Sequence, residues 1–128
     1  MRSEEDKLSY LIIGAAIDVH RSIGGPGLLE NVYEEALCWE LQQLGLSIER
    51  QKEVPIVYKG MQLHTPLRLD LLVENLVIVE CKATLTYNTI FEVQTLTYLR
   101  LANLRLGLVI NFGERSVKDG VHRVVNSL

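Results

Sequence analysis

The sequence has no apolar run long enough to cross a membrane, and it contains little cysteine. A membrane helix needs about 20 consecutive apolar residues, and no run in this chain of 128 residues approaches that length. The first six residues include three acids and are followed by no apolar core, which is not the pattern of a secretory signal peptide. The two cysteines, Cys38 and Cys81, stand far apart among apolar neighbours. This placement favours free buried thiols over a disulfide, so we expect a cytoplasmic protein without a membrane segment.

The sequence has no large excess of positive or negative charge, and it lacks the motifs of two common ligand sites, the zinc site and the P-loop. The net charge is −3 and no extended Lys/Arg stripe is present, which argues against non-specific binding of nucleic acid through a basic surface. The acids are concentrated in residues 1–64, whereas residues 65–128 hold six acids against seven Lys/Arg. No Cys/His spacing typical of zinc occurs. The Gly-rich stretch at 24–27 lacks the Gly-Lys-Ser/Thr end of a P-loop.

What the sequence does contain is the periodicity of one mixed domain covering residues 1–128. Helical spacing predicts helices over about 4–21, from just after Gly27 to about 44, and over about 89–102. We expect Ser3 to cap the first helix, and Thr89 with Glu92 to form a capping box on the third. On the second helix, Glu34 belongs to the polar side. Strands are predicted over about 46–58, 61–63, 67–73, 76–81, 106–112 and 121–125.

The resulting order is α-α-β-β-β-α-β-β, which is an α/β class with a mixed central sheet flanked by helices. The segment from residue 76 through the third helix to residue 110 is predicted to be a βαβ unit with parallel strands and a right-handed crossover.

The strongest chemical signal is Asp70 followed by Glu80-Cys81-Lys82. Glu80 and Lys82 are two residues apart on a strand, so they share a face and Cys81 points the other way. They end an otherwise apolar run, and buried charges need partners or a functional role. Asp70 lies on the preceding strand of the same hairpin. A divalent cation between Asp70 and Glu80 would offset their repulsion. An ordinary ion pair of Lys82 with either acid at a sheet edge explains the spacing equally well.

The metal hypothesis makes a demand on the hairpin. With a two-residue turn at Glu74-Asn75, Asp70 falls opposite Val79 and Glu80 points to the other face. With an odd loop or a bulge, Asp70 falls opposite Glu80. A metal site between these two carboxylates therefore requires the odd register or a bulge.

The segment 27–33 matches a Gly-x-x-Glu-x-x-Tyr signature, and the chain resembles the GxxExxY protein family, which is placed within the PD-(D/E)XK nuclease superfamily. The resemblance covers almost the whole chain and implies a restriction-endonuclease-like core, although members are mostly of unknown function. Further matching positions are Val19-His20, Gly25-Pro26-Gly27, Tyr33-Glu34-Glu35-Ala36-Leu37, Tyr58-Lys59-Gly60, Asp70-Leu71-Leu72-Val73, Val79-Glu80-Cys81-Lys82-Ala83, Gln94, Tyr98-Leu99, Gly107-Leu108 and Asn111-Phe112-Gly113.

The resemblance implies roles for four charged residues. Asp70 and Glu80 would hold Mg²⁺ or Mn²⁺, and Lys82 would orient the attacking water and stabilise charge on the phosphate. Glu30 would be the helical acid that joins the metal shell. On the residues alone, the preferred interpretation of Glu30 is a first-turn acid favoured by the helix dipole, and the resemblance is what favours a role in the site. The turn at 24–27 would aim Glu30 into the site, with contact to a phosphate as the alternative.

Four uncharged or weakly basic residues complete the candidate set. Gln94 and Tyr98 resemble the Gln-x-x-x-Tyr motif of the RecB-like branch, and a spacing of four places them on one helix face. A solvated Gln94 and a packing role for Tyr98 are the alternatives. Tyr33 is a supporting residue with an equally good packing role. His20 is predicted to pack at the helix end near the Gly-rich turn, and a role in the site is the alternative.

These observations favour a Mg²⁺- or Mn²⁺-dependent nuclease acting on nucleic acid, with DNA preferred to RNA as the substrate. A non-catalytic module that keeps the nuclease fold and binds nucleic acid or protein is the alternative, since fold does not imply function. A third hypothesis is a structural homodimer in which Asp70, Glu80 and Lys82 satisfy one another. With so few basic residues, affinity for nucleic acid must come from few phosphate contacts, from dimerisation or from a partner.

Overall fold

The computed structural model describes residues 3–127, so the ends of the predicted domain at Met1, Arg2 and Leu128 lie outside the described residues. No helix within residues 3–127 is long and apolar enough to cross a membrane. The elements are α1 (Glu4–Ile23), α2 (Glu30–Gln43), β1 (Ile48–Val54), β2 (Val57–Tyr58), β3 (Met61–Gln62), β4 (Leu67–Val73), β5 (Val77–Lys82), α3 (Ile90–Ala102), β6 (Leu106–Asn111), a 3₁₀ turn (Val117–Gly120) and β7 (Val121–Val125).

Five strands form the main sheet, in the order β1-β4-β5-β6-β7. Strands β5 and β6 are parallel and joined through α3, whereas the other neighbours are antiparallel. The predicted α/β class, the mixed sheet and the parallel βαβ unit are confirmed. The predicted strand over 46–58 is divided, because β1 ends at Val54 before Pro55, which cannot donate to a ladder. The short strands β2 and β3 then pair as a separate hairpin.

Each face of the sheet carries its own apolar core. The larger core lies under α1 and α2 and includes the buried side chains of Ile12 and Leu37. The smaller lies under α3 and is centred on Leu99. Burying a large aliphatic side chain contributes roughly 1.5–3 kcal/mol. Helix α3 packs so closely that a Cβ at Gly107 on β6 would lie 2.7 Å from Cγ2 of Thr95, which explains the glycine there.

Helix α1 begins as predicted and ends two residues later than expected. The Oγ of Ser3 accepts a hydrogen bond from the N–H of Asp6 at 3.1 Å. The helix continues to Ile23 and ends at Gly24, whose φ of 105° lies in the left-handed region that favours glycine. Cys38 and Cys81 are both buried free thiols, as predicted.

The predicted capping box on α3 is wrong. Thr89 has a helical φ of −63° and its side chain makes no capping bond. Instead Asn88, one residue earlier, accepts the N–H of Ile90 through Oδ1 at 2.9 Å. The carboxylate of Glu92 accepts from the hydroxyl of Tyr87 at 3.1 Å. Asparagine is as good an N-cap as threonine. Glu92 is bound by Tyr87, which lies outside the Thr-x-x-Glu motif.

The β4–β5 hairpin closes with the odd register that the metal hypothesis requires. Val73 pairs with Val77 across a three-residue turn at 74–76. The first two turn residues have left-handed φ angles of 52° and 54°. Continued along the strands, this register places Asp70 opposite Glu80 on the neighbouring strand.

Candidate active site

The β4–β5 ladder stops where the two acids face each other. Leu71 and Val79 form its last backbone pair. Beyond it the N–H of Asp70 donates to Oε2 of Glu80 at 2.9 Å, and the N–H of Cys81 donates to Oδ2 of Asp70 at 2.9 Å. The carboxylates therefore take the place of backbone carbonyls, and the two strands diverge around them.

Strand β4 also changes face at this point. Leu67 and Leu69 belong to the core under α3, whereas Leu71 and Val73 belong to the core under α1 and α2. Alternate side chains of a regular strand point to one face, so these four residues would share a face in an unbroken strand. The kink at Asp70 lets the sheet bury apolar residues on both sides while the acid stays between the strands.

Gln51, on β1 opposite Asp70, is a site residue that the sequence did not indicate. It has a φ of 54° in the middle of a strand, a conformation that costs of order 1–3 kcal/mol in a residue other than glycine and that clusters at functional sites. Its Nε2 donates to both oxygens of Glu34, at 2.9 and 3.0 Å, and lies 3.4 Å from Oδ1 of Asp70. The strained backbone thus aims an amide at the acids.

Burial dominates the electrostatics of the acidic pair. Glu80 is only 5% exposed. Burial, and then the nearby charge of Asp70, raises the pKa of Glu80 to about 8. Burial raises the pKa of Asp70 to about 6, although the N–H of Cys81 partly opposes the shift. At neutral pH the fully ionised pair is therefore unfavourable without a nearby cation.

Lys82 shares a face with Glu80, as predicted, but it does not neutralise the pair by direct contact. Its Nζ lies 4.6 Å from the ring centroid of Phe91 on α3, and its charge lowers the pKa of both Asp70 and Glu80. Within residues 3–127, no ion pair of 4.0 Å or less joins Lys82 to either acid. The hypothesis of an ordinary ion pair at the sheet edge is therefore wrong.

Helix α2 directs two further acids toward the end of β5. Burial raises the pKa of the Cys81 thiol well above its ordinary value, and the charges of Asp70, Glu34, Glu80 and Glu30 raise it further, in that order. The charges of four carboxylates therefore act on this one buried thiol. Glu30 itself is exposed in the first turn of α2. It makes no hydrogen bond with the acidic pair in the described part of the chain.

Glu34 is buried, and its predicted place on the polar side of α2 is wrong. It is 4% exposed and accepts from Nε of Arg50 at 2.7 Å and from Gln51. Arg50 and Gln51 come from β1, so a strand that covers α2 turns a nominally polar helix position into a buried one. The spacing of four from Glu30, which places both acids on one helix face, is the signal that could have found it.

Helix α3 brings one of its two candidate residues to the acids. Burial raises the pKa of the half-buried Tyr98, and the charges of Glu80 and Asp70 raise it further. Gln94, one turn earlier, is exposed and has no hydrogen-bond partner among the described residues. The structure therefore links Tyr98, and not Gln94, to the site electrostatically.

Tyr33 supports the Gly-rich turn. Its side chain is fully buried and stacks on Phe112 with ring centroids 4.7 Å apart. Its hydroxyl donates to the carbonyl of Gly25 at 2.7 Å and accepts from the N–H of Leu28 at 3.2 Å. These contacts fix the loop that leads into α2 and hence the position of Glu30.

His20 has the packing role predicted for it. It is 5% exposed, and its Nε2 donates to the carbonyl of Glu114 at 2.9 Å. It also lies beside the Gly-rich turn, since a Cβ at Gly25 would be 3.9 Å from its Cε1. His20 therefore joins the end of α1 to the loop after β6.

The donor set of the acidic pair fits a hydrated hard cation. One oxygen of each carboxylate accepts a backbone N–H, which leaves Oε1 of Glu80 without a donor in residues 3–127 and Oδ1 of Asp70 with only the long contact to Gln51. No group of three or more His, Cys, Asp or Glu residues in that range is placed to hold a metal ion. Mg²⁺ commonly uses one or two carboxylates and keeps several waters, which suits such a pair.

Comparison with known families agrees with this geometry. A family model described as the PD-(D/E)XK nuclease superfamily matches residues 6–124. The chain belongs to this superfamily. The five-stranded mixed sheet of this PD-(D/E)XK protein, flanked by helices, is consistent with a restriction-endonuclease-like fold. PD-(D/E)XK nucleases are generally dependent on divalent metal. Searches of curated proteins and of solved structures found no match.

Proposed function

We propose that this protein is a Mg²⁺- or Mn²⁺-dependent nuclease that hydrolyses phosphodiester bonds of nucleic acid, with DNA preferred to RNA. The observation that carries the proposal is a pair of facing carboxylates, the half-buried Asp70 and the buried Glu80, at the point where β4 and β5 diverge. The finer placement within the GxxExxY family and the RecB-like branch is part of the same proposal.

The need for a cation follows from the charges. Two unit charges 4 Å apart repel by about 4 kcal/mol at an effective dielectric constant of 20, and Lys82 makes no direct ion pair that would offset such a repulsion. The open oxygens of Asp70 and Glu80 are the direct ligands in this proposal. When bound, a divalent cation supplies charge neutralisation at the phosphate and a more acidic water.

The remaining side chains act around that pair. Lys82, held over Phe91 on the same face as Glu80, stabilises the charge that develops on the phosphate oxygens. Gln51 fixes Glu34 and Asp70 relative to each other through its amide. Both helix acids lie near enough to add to the field at the end of β5.

Glu30, exposed in the first turn of α2, would contribute a further carboxylate to the metal site. Gln94 and Tyr98, on one face of α3, position the metal shell and the substrate strand.

The test is cleavage of labelled single-stranded and double-stranded DNA and RNA with Mg²⁺, with Mn²⁺ and with a chelator. Glu80→Gln and Lys82→Met are compared with the wild type, and Glu49→Gln and Lys7→Met serve as matched controls that remove the same charges from surface pairs. We expect metal-dependent cutting by the wild type and both controls, and none by the two site variants. Equal cutting by all five proteins, or no cutting by a folded wild type, would overturn the proposal.

The second candidate is a binding module that keeps the fold without catalysis. The net charge of −3 fits a protein partner of such a module better than nucleic acid, whose binding surfaces are usually basic. Such a module would bind nucleic acid or a protein partner and leave every substrate intact in the same assay. The predicted homodimer is tested separately by the sedimentation coefficient of the wild type.

A further inference from the structure

A cavity of about 510 Å³ opens between the end of α1 and the loop that follows β6. Three cationic side chains line it, Arg21, Arg115 and Lys118, together with Ser116. Its lining includes no aspartate or glutamate from the part of the chain that the structure describes. In a protein with a net charge of −3, this is a local concentration of positive charge.

The three cations are also unpaired. Within residues 3–127, none of Arg21, Arg115 and Lys118 has a carboxylate within 4.0 Å. Surface arginines elsewhere are mostly paired in this way: Arg50, Arg68, Arg105 and Arg123. Guanidinium groups match the geometry of phosphate oxygens through paired hydrogen bonds, and a lysine adds a point charge. The chemistry of the cavity therefore suits a phosphate group.

Hydrogen bonds from buried side chains hold both walls of the cavity, which are the end of α1 with the Gly-rich turn and the loop after β6. His20 joins the end of α1 to the loop of Arg115 by its bond to the carbonyl of Glu114. The carbonyl of Gly25 is held by the hydroxyl of Tyr33. Gly25 has a φ of 99°, and it exposes backbone rather than a side chain to the cavity. The cationic side chains therefore extend from a rigid frame.

The cavity lies at the same edge of the sheet as the acidic pair. Strands β5 and β6 are parallel, so their carboxyl ends meet at one edge. There the N–H of Phe112 donates to the carbonyl of Lys82 at 2.7 Å. Arg115 follows Phe112 by three residues, which span at most about 11 Å. Lys82 faces α3 and the cavity lies on the α1 side of the sheet. A nucleic-acid strand has a phosphate about every 3.4 Å along the axis of a duplex, so a strand that crosses this edge can present different phosphates to the two places.

We propose that Arg21, Arg115 and Lys118 form a second phosphate site, which holds a backbone or terminal phosphate of the nucleic acid beside the cleavage site. The identity of the ligand as substrate rests on the proposed nuclease function. The site itself is tested by binding alone.

The experiment measures binding of fluorescent single-stranded oligonucleotides in chelator, as a function of salt concentration. Arg21→Gln/Arg115→Gln and Lys118→Gln are compared with the wild type, and Lys59→Gln/Arg100→Gln is the control that removes two exposed cations elsewhere. We expect the first double variant to weaken binding at least tenfold and to reduce the slope of log K against log salt by about 0.7 for each lost contact. The control should stay within twofold of the wild type.

Matched oligonucleotides with a 5′-phosphate, a 3′-phosphate or hydroxyl ends distinguish the source of the phosphate. A wild-type preference for one phosphorylated end that disappears in the double variant identifies a terminal phosphate. An equal loss of affinity for all three oligonucleotides in the double variant identifies a backbone phosphate. Equal weakening by the cavity variant and its control, or no binding by the wild type, would overturn the site.

The outcome is separable from that of the nuclease proposal. Loss of binding in the cavity variants without cleavage by the wild type would support the phosphate site and contradict the nuclease. Cleavage that is unchanged in the cavity variants, with binding also unchanged, would contradict the phosphate site and leave the nuclease supported.

Discussion

Replacing Glu80 by glutamine removes one of two facing carboxylates while keeping the shape of the side chain. The N–H of Asp70 can still donate to the amide oxygen, since it now donates to Oε2 of Glu80. Because burial raises the pKa of Glu80 from an ordinary 4.5 to about 8, the folded protein holds a proton that the unfolded chain releases. The free energy of unfolding of the wild type without metal therefore falls as the pH rises from about 4.5 to about 8.

The magnitude follows from the shift. At 1.36 kcal/mol for each pKa unit, the raised pKa of Glu80 lowers the free energy of unfolding by about 4 kcal/mol at pH 8 and by about 3 kcal/mol at pH 7, relative to pH below 4.5. Glu80→Gln avoids that cost, so the variant should be more stable than the wild type at neutral pH. Such a gain corresponds to roughly 10 °C in melting temperature for a domain of this size.

The assay is thermal unfolding followed by circular dichroism in chelator at pH 5, 7 and 8, with Glu49→Gln, at a partly exposed acid outside the site, as the acid-to-amide control. Mg²⁺ should then raise the melting temperature of the wild type and leave that of Glu80→Gln unchanged, because a ligand stabilises only the state that binds it. A variant no more stable than the wild type at pH 8, or one that responds equally to Mg²⁺, would refute the reasoning.

Three further predictions follow from individual contacts. Lys82→Met should lower single-turnover cleavage at least a hundredfold, a typical loss for an electrostatic stabiliser, while the melting temperature still rises with Mg²⁺; an unchanged rate would contradict the role of the lysine. Gln51→Gly should relieve the strain of its φ of 54°, but it also removes the amide donor to the buried Glu34. These two effects oppose each other, so we expect the free energy of unfolding in urea to change by less than about 1 kcal/mol and cleavage to fall about tenfold. A rate equal to that of the wild type would show that the amide does not position Asp70. Gly107→Ala should destabilise the protein by about 1–3 kcal/mol in urea unfolding, because its Cβ would lie 2.7 Å from Cγ2 of Thr95; adding Thr95→Ser should restore most of that loss, and a failure to restore it would contradict this packing.

The helices and main-sheet strands could be predicted because their apolar periods are strong. The same sequence could not choose between the two hairpin registers. Glu74-Asn75 suits a two-residue turn, and the structure instead places Leu76 in the turn as well. The register depends on pairing along the whole length of both strands. It also depends on the contacts that the carboxylates of Asp70 and Glu80 make with the backbone where the strands diverge.

The candidate site was predictable in its centre and not in its surroundings. Asp70, Glu80 and Lys82 stand out because charges interrupt apolar strands. Gln51 does not, since its positive φ and its contacts come from tertiary structure. Glu34 was predicted on the polar side of α2 for the same reason. Helical spacing alone makes its position polar, but β1 covers it in the folded protein.

The most direct measurement is anomalous diffraction from crystals grown with Mn²⁺, recorded for the wild type and for Glu80→Gln. The account predicts an anomalous peak within coordination distance of both Asp70 and Glu80 in the wild type, and no peak there in the variant. No wild-type peak at this pair, or a peak that persists in the variant without contact to Asp70, would contradict the account of the site as a metal-dependent nuclease centre.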